Sequence, residues 1–191
     1  MPRQPRIEGA GLIHHVTGHS IHEQLAFPDD RSRRGFVSLL GATSQTSGWS
    51  LLAYCLLPTH YHFLLETAAP NLGIGMRAIH GRHTRKANAR LGRTGPLWRD
   101  RFHSTVVHSG PHVVRAAAYI DANPVAAGIV DDPADWLWSS YRANAGLAEP
   151  WAWHRRDLVY RHLGAPDTEG PAVYRELVAT TVERIHAGRD N

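Results

Sequence analysis

The segment from residue 49 to residue 66 constrains the fold more than any other part of the chain. Residues 49–57 (WSLLAYCLL) are apolar at every position except Ser50. Such a run is typical of a central strand that is covered on both faces. Pro58 and Thr59 then form a turn, because proline favours such positions. Residues 60–66 (HYHFLLE) have the length and apolar character of a second strand. The pattern predicts a buried β-hairpin.

Two histidines stand at the start of the second predicted strand. Side chains alternate along a strand, so His60 and His62 lie on one face and Tyr61 lies on the other. Two imidazoles on neighbouring same-face positions can bind one metal ion together. An isolated His-x-His pair is more often two polar residues at a strand end. Its meaning therefore depends on the rest of the chain.

Length and composition indicate one domain, or one domain with an appendage. The chain has 191 residues, of which 42% are hydrophobic, enough for a sizeable core. No apolar run approaches the roughly 18 residues that a membrane-spanning helix needs, and no secretory signal is recognisable. Cys55 is the only cysteine, so a disulfide framework is excluded. We predict a cytoplasmic protein without a membrane partner.

The positive charge of the chain indicates a polyanionic partner. The formal net charge is +4, and Lys86 is the only lysine among the 21 basic residues, so arginine, whose guanidinium group matches phosphate geometry, predominates. Residues 71–91 have apolar positions at helical spacing, and cations fill the other faces. These cations continue beyond the helix with Trp98 and Phe102 between them, as on surfaces that bind single-stranded nucleic acid. The alternative is a solvated helix face. The predicted DNA-binding residues are Arg77, Arg82, Arg85, Lys86, Arg90, Arg99, Arg101 and Arg115.

A second group of candidate residues lies far downstream. Residues 112–122 are predicted to form a helix that stops at Asn123-Pro124, because proline disfavours helical geometry in the residue before it. Tyr119 and Asn123 are four residues apart and therefore share one side of this helix. A phenol is a potential nucleophile, and a carboxamide oxygen suits a hard ion such as Mg²⁺, whereas imidazole also accepts Mn²⁺. Taken singly, each residue has an ordinary explanation as a packed tyrosine or a helix stop.

Taken together, these motifs resemble those of the HUH-type single-tyrosine transposases, and most closely the REP-associated tyrosine transposases. The two specific matches are residues 57–65 (LPTHYHFLL) and 119–130 (YIDANPVAAGIV). The supporting matches are residues 97–102 (LWRDRF), 138–141 (WSSY) and 2–6 (PRQPR). The resemblance covers roughly residues 2 to 141 in the order in which the family carries them.

The sequence departs from the family at three places. Family members usually carry asparagine where Thr59 stands and a small aliphatic residue where Tyr61 stands. They usually end the first strand with Arg-Gly-Asn, whereas here the sequence reads Thr17-Gly18-His19-Ser20. We predict a first strand over residues 12–17 that ends at Gly18. Tyr61 is a second possible nucleophile, but strand alternation turns it away from the histidines.

The resemblance implies an α+β fold with a ferredoxin-like sandwich. In that fold an antiparallel sheet carries its helices on one face, and His60 and His62 lie on a central strand. Residues 1–148 would form the catalytic domain of an HUH endonuclease. Residues 149–191 would form a helical C-terminal extension, for which no motif suggests a role.

The resemblance also implies a reaction. His60, His62 and Asn123 would bind Mg²⁺ or Mn²⁺, and Tyr119 would cleave single-stranded DNA beside a hairpin, or palindromic, element to give a 5′-phosphotyrosine. The protein would be associated with the nucleoid and act as a monomer or a homodimer. Two alternatives remain open: a metal-dependent phosphodiesterase that uses water, and a hairpin-binding protein without strand transfer. A structural zinc site is disfavoured because no thiolate lies near the histidines.

Overall fold

A four-stranded antiparallel sheet forms the centre of the computed structural model, which describes residues 7–21, 24–108 and 110–189. The predicted motif at residues 2–6 lies outside the described ranges. The strands follow the order β2-β3-β1-β4 in the sheet, and with two helices between them they give the β-α-β-β-α-β sequence of a ferredoxin-like sandwich. This confirms the predicted fold. The strands are β1 (Leu12–His19), β2 (Trp49–Leu56), β3 (His60–Thr67) and β4 (His103–Val106).

Helices cover both faces of the sheet. Helices α1 and α2 pack on one face, as expected. Helices α3 and α5 pack on the opposite face, which the prediction had left without helices, and α6 packs on α3 and α5. A short 3₁₀ helix (Pro133–Asp135) and α4 connect α3 to α5. None of the helices in the described ranges is long and apolar enough to cross a bilayer. The helices are α1 (Asp30–Ser47), α2 (Leu72–Leu91), α3 (Gly110–Ala126), α4 (Tyr141–Asn144), α5 (Arg156–Leu163) and α6 (Gly170–Arg189).

Strand β2 is an outer strand rather than the central strand that its apolar sequence predicts. It is buried on both faces because α1 covers one side and α3 the other. Its outer edge is covered by residues 138–155, which bond to it through backbone pairs such as Leu56 N to Trp138 O and Ser140 N to Tyr54 O, both 2.8 Å. A covered edge needs no charged side chains to prevent pairing with another chain. The central position falls to β3, which carries the two predicted histidines between β2 and β1.

Strand β1 continues beyond its predicted end at Gly18. It pairs with β3 as far as His19, which lies opposite His60. The ring of Tyr61 occupies the space next to Gly18, where a Cβ atom would approach it to 2.6 Å. The glycine is therefore a point of close packing within the strand, not a terminator.

Helix α3 also continues beyond its predicted stop. It passes through Asn123-Pro124 and ends at Ala126. The proline lacks an N–H group, so the helix forgoes the hydrogen bond to Ile120 O, and the packing of the buried residues 120–125 offsets this loss. Ala127 N still donates to Asn123 O at 2.9 Å, and Gly128 then leaves the helix with a φ of 68°. Both Tyr119 and Asn123 are consequently held within regular helix.

The last helices are part of the core on the α3 face. Leu158 and Val159 of α5, and Tyr174 and Val178 of α6, are buried in the same apolar cluster as α3. Residues 149–191 thus contain the helices α5 and α6, and both contact α3. Their packing determines how firmly α3 is held against the sheet.

Candidate active site

The pairing of β1 with β3 brings four histidines onto one face of the sheet. His19 lies opposite His60, Thr17 opposite His62, and His15 opposite Leu64. Residues that are directly opposite in an antiparallel pair point to the same face, as do alternate residues of one strand. The side chains of His15, His19, His60 and His62 therefore share the face that α3 covers.

The four imidazoles are in direct or near contact. Nε2 of His15 is 3.0 Å from Nδ1 of His62, which is a hydrogen bond between the two strands. The rings of His19 and His60 stack with their centroids 4.7 Å apart, and the rings of His60 and His62 are 5.3 Å apart. The hydroxyl of Thr59 lies 3.1 Å from Nδ1 of His60. The histidines thus form one continuous cluster at the end of the hairpin.

Helix α3 brings the predicted nucleophile to this cluster. The Tyr119 ring is 5.9 Å from the His62 ring and 6.4 Å from the His15 ring, measured between centroids, in edge-to-face orientation. Tyr119 is 46% exposed, so a large substrate can reach its hydroxyl. The structure therefore brings together Tyr119, His60 and His62, which are distant in the sequence, within one chain.

Asn123 lies one helical turn after Tyr119 and is almost buried, at 6% exposure. Its carboxamide forms no hydrogen bond with any residue that the structure describes. The amide atoms are not among the fully buried polar atoms that lack a partner, so they retain contact with solvent. The amide oxygen of Asn123 is thus available to a ligand.

Burial keeps the imidazoles uncharged. It lowers the pKa of His62 to about 3, with smaller contributions from His15, His60 and His19, and it lowers the pKa of His60 to about 4, with a smaller contribution from His19. Burial lowers the pKa of His15 and His19 as well. A neutral imidazole has a free lone pair on one nitrogen. Near pH 7, His60 and His62 are therefore suited to binding a metal ion.

The donors of the site fit a divalent cation that keeps part of its coordination open. Two neutral imidazoles and the free amide of Asn123 offer nitrogen and oxygen donors of the kind that Mn²⁺ accepts, and Mg²⁺ accepts the oxygen. In the described ranges, no three or more His, Cys, Asp or Glu side chains form a ready metal-binding group. An ion at His60 and His62 would therefore retain positions for water or a phosphate oxygen.

A buried carboxylate, which the sequence did not single out, holds α3 in place. Asp121 is fully buried and accepts hydrogen bonds from the hydroxyl of Ser140 at 2.5 Å, the hydroxyl of Tyr174 at 2.6 Å and the amide of Asn144 at 3.1 Å. Burial raises the pKa of Asp121 to about 7, and the three hydrogen bonds oppose this rise. The partners lie in α4, in α6 and immediately before α4. They fix the helix two residues after Tyr119.

A groove at the β4 edge runs up to the histidine cluster. It has a volume of about 640 Å³. Thr17 and His19 line its inner end, and Arg99, Arg101 and His103 line the remainder. Arg99 and Arg101 are exposed, although the carboxylate of Asp100 lies 3.8 Å from Nε of Arg99. The predicted cations of this segment are therefore next to the site.

The other predicted cations divide between the two faces. Arg115 is exposed on α3, one turn before Tyr119. The cations of α2 belong to the helix layer on the face opposite the histidines. All five are exposed, and Arg90 forms an ion pair with Asp29. These residues are Arg77, Arg82, Arg85, Lys86 and Arg90.

His15 and His19 were not predicted from the sequence as residues of this site. Strand alternation does put positions 15, 17 and 19 on one face, which was the available signal. The prediction that β1 ends at Gly18 removed His19 from the strand. The pairing of β1 with β3, which makes these residues neighbours of His60 and His62, depends on the whole sheet.

Comparison with solved structures finds neighbours of this chain, and comparison of the sequence with families finds none. No protein-family model matches the sequence, and no curated protein matches it. The fold matches the structure of a REP-associated tyrosine transposase bound to a REP hairpin, with a TM-score of 0.66 and 19% identity over 80% of this chain and 92% of that chain. A protein from Deinococcus radiodurans R1, provisionally described as a transposase, aligns at 19% identity over 58% of this chain and 89% of that chain, with a TM-score of 0.42. The first match shows a shared fold, in agreement with the resemblance of the motifs.

Proposed function

We propose that this protein is a single-strand DNA transesterase of the HUH type, related to the REP-associated tyrosine transposases. The observation that carries the proposal is the proximity of Tyr119 to the His60–His62 pair, with 5.9 Å between the Tyr119 and His62 rings. The shared fold with a transposase that binds a REP hairpin supports the same conclusion. Fold alone does not define an activity, so the side chains of the site are the stronger support.

His60, His62 and Asn123 would hold Mg²⁺ or Mn²⁺ in this proposal. When bound there, the ion would offset the negative charge that develops on the scissile phosphate. The uncharged imidazoles and the unpaired carboxamide support this assignment, because each offers a lone pair without first losing a proton. Tyr119 is exposed and His60 is half-buried, so the scissile phosphate would approach the site from solvent.

Tyr119 would act as the nucleophile on that phosphate. Its phenolic oxygen forms a bond to phosphorus while the bond from phosphorus to the 3′ oxygen breaks, in line with the attack. The phenolic proton is lost, and the departing 3′ oxygen takes up a proton, so the products are a 5′-phosphotyrosine and a free 3′-hydroxyl. Because the phosphotyrosine is itself a phosphodiester, a second 3′-hydroxyl can reverse the step and join two strands. No nucleotide cofactor is consumed.

The substrate in this proposal is single-stranded DNA with a hairpin, and the neighbour's structure contains a bound REP hairpin. The groove lined by Arg99 and Arg101 leads to His19 and so to the catalytic cluster. We assign this groove to the strand that carries the scissile phosphate, and Arg115 to the same region. The cations of α2, on the other helix layer, would contact parts of the DNA farther from the cleaved bond. Guanidinium groups suit the phosphates of such a substrate. The predicted role of Trp98 and Phe102 in stacking on bases is wrong, because both side chains are buried in the core.

A covalent-adduct assay tests the proposal. Labelled single-stranded DNA that contains a hairpin is incubated with the protein and Mg²⁺ or Mn²⁺, and a denaturing gel then detects protein–DNA adducts. We expect an adduct that is lost on chelation of the metal and abolished in Tyr119→Phe, with DNA binding retained, because only the nucleophilic oxygen is removed. Tyr61→Phe is the matched control and should still form the adduct, since Tyr61 is buried in the cluster on the opposite face.

The same assay distinguishes the two alternatives. Cleavage without an adduct, unaffected by Tyr119→Phe, would indicate a phosphodiesterase that uses water. Hairpin binding without cleavage in either metal would indicate a binding protein, and either result would contradict the transesterase proposal.

A further inference from the structure

The hydrogen bonds of His60 and His62 involve the same ring nitrogen in both residues. Nδ1 of His62 bonds to Nε2 of His15 at 3.0 Å, and Nδ1 of His60 bonds to the hydroxyl of Thr59 at 3.1 Å. In the described part of the chain, no hydrogen bond involves Nε2 of either residue. The two imidazoles are therefore held through Nδ1 and keep Nε2 available.

We propose that His15 and Thr59 are positioning residues that orient His62 and His60 toward a divalent ion by accepting a hydrogen bond from Nδ1–H of each. The identity of that ion rests on the proposed function. The orienting contacts themselves belong to this chain: His15 lies outside the motifs that carry the family resemblance, and Thr59 stands where family members usually have asparagine.

The chemistry of neutral imidazole explains why such acceptors matter. A neutral imidazole carries one N–H hydrogen, so only one of its two nitrogens has a free lone pair for a metal ion. When Nε2 binds a metal, the hydrogen must be on Nδ1, and an acceptor there fixes both the tautomer and the ring orientation. Nε2 of His15 and Oγ1 of Thr59 both have lone pairs with which to accept. Such acceptors also make the ligating nitrogen more basic.

The location of the two acceptors suits this role. His15 is on β1, which pairs with β3 along its full length, so the register of the sheet sets the distance between the two rings. Thr59 directly precedes His60, and its carbonyl oxygen accepts from the backbone N–H of Ser20 at 2.8 Å. The hairpin turn is thereby tied to the end of β1. Both acceptors are held by backbone hydrogen bonds and not by flexible surface contacts.

Mn²⁺ affinity, measured by electron paramagnetic resonance on the full chain without DNA, tests the proposal. His15→Leu removes the acceptor and should weaken Mn²⁺ binding by about tenfold or more, the range expected for partners of metal ligands. His15→Gln keeps an acceptor oxygen and should restore most of the affinity. Thr59→Val and Thr59→Ser form the second pair, with loss in the valine variant and rescue in the serine variant.

Two controls distinguish a change in the orientation of the His60 and His62 rings from a general loss of stability. His186→Asn removes an exposed histidine from α6 and should leave the Mn²⁺ affinity unchanged. Each variant's unfolding midpoint is measured in the absence of metal, so that a loss of affinity in a folded chain is assigned to orientation. Equal Mn²⁺ affinity in wild type, His15→Leu and Thr59→Val would overturn the proposal, as would a wild-type chain that does not bind Mn²⁺.

The adduct assay shows whether a failure concerns the positioning residues or the transesterase activity. If wild type forms the adduct but the variants bind Mn²⁺ as tightly as wild type, the positioning roles are wrong and the transesterase remains. If Mn²⁺ binding depends on His15 and Thr59 but no adduct forms, the positioning roles hold and the proposed reaction is wrong.

Discussion

Burial favours the neutral form of titratable side chains at two neighbouring places in this protein. In the histidine cluster, burial favours the neutral form, which is the form that binds metal. At Asp121, burial also favours the neutral form, although all three hydrogen-bond partners are donors that suit a carboxylate. The pKa of Asp121 is therefore raised to about 7 even with these partners. Ionisation of Asp121 in the folded chain therefore costs stability, and that loss grows as the pH rises.

The first prediction at the residue scale concerns stability and pH. Because the folded chain keeps the Asp121 proton up to about pH 7, whereas the unfolded chain releases it near pH 4, this residue lowers the free energy of unfolding as pH rises through that window. Asp121→Asn is isosteric, and its amide can donate to the Ser140 oxygen. From pH 5 to pH 8 the variant should gain on the order of 2 kcal/mol relative to wild type, at about 1.4 kcal/mol per unit.

Urea denaturation of both proteins at several pH values measures this difference. The lowered pKa values of the histidines give a slope of the opposite sign, but that slope is common to both proteins and cancels in the comparison. Asp167→Asn, at an exposed position, is the control and should follow wild type at every pH. A constant difference between Asp121→Asn and wild type from pH 5 to pH 8 would contradict the raised pKa.

Individual site residues were predictable from the sequence where a local rule applied. Alternation places His60 and His62 together and Tyr61 opposite, and helical spacing places Tyr119 beside Asn123. The buried network at Asp121 was not predictable, because its partners Ser140 and Tyr174 are separated from it in sequence and meet only when α6 packs on α3. Nothing in the local pattern of the 119–130 motif assigns a role to the aspartate.

At the scale of secondary-structure elements, two predictions were wrong for the same physical reason: the position of β2 in the sheet and the end of α3. The apolar character of β2 correctly indicates burial, but burial on two faces does not require a strand on both edges, and residues 138–155 cover the outer edge instead. Pro124 lies inside α3 because residues 120–125 are all buried, and their packing offsets the missing hydrogen bond. In each case the tertiary contacts, which a single sequence does not display, decided the outcome.

The groove at the β4 edge gives a prediction about one element. Arg99→Gln combined with Arg101→Gln should weaken binding of single-stranded DNA and reduce the salt dependence. On single strands each lost phosphate contact lowers the slope of log affinity against log salt by about 0.7, so two contacts would lower it by about 1.4. Fluorescence anisotropy with labelled DNA at several salt concentrations measures both quantities.

A matched pair of arginines tests whether the effect belongs to the groove. Arg161→Gln with Arg184→Gln removes the same charge from exposed positions of α5 and α6, and it should change the salt slope much less. If both double variants reduce the slope equally, then net charge rather than the groove accounts for binding. The same comparison can be made with Arg82→Gln and Arg85→Gln, which reports on the α2 layer separately.

At the scale of the whole molecule, the face that carries the histidines and Tyr119 is built from elements distant in the chain. Strand β1 supplies two histidines, β3 supplies two more, and α3 supplies the tyrosine, while α6 fastens α3 through Tyr174. The division of the chain at residue 148 stays a prediction, but the helices beyond it contact the helix that carries Tyr119. Removal of α6 would leave Asp121 without its Tyr174 partner and expose apolar side chains of α3.

The arrangement of the whole chain predicts that the reaction occurs in cis. Tyr119 is next to His62 of its own chain, so one protein molecule carries every proposed catalytic residue. An equimolar mixture of Tyr119→Phe with the double variant His60→Ala, His62→Ala should therefore form no adduct. If a partner chain supplied the tyrosine, the mixture would contain hybrid sites with an intact tyrosine and intact histidines, and adduct would reappear on the histidine variant.

Chains of different length make this experiment decisive, because a tag on one variant shows which chain carries the DNA on the gel. Unfolding and refolding the two variants together ensures that subunits exchange if a dimer exists. Wild type mixed with either variant is the positive control and should give adduct only on the wild-type chain. Adduct on the tagged histidine variant would show that α3 reaches a neighbouring chain, since a chain without His60 and His62 could react only by placing its tyrosine in another molecule's site.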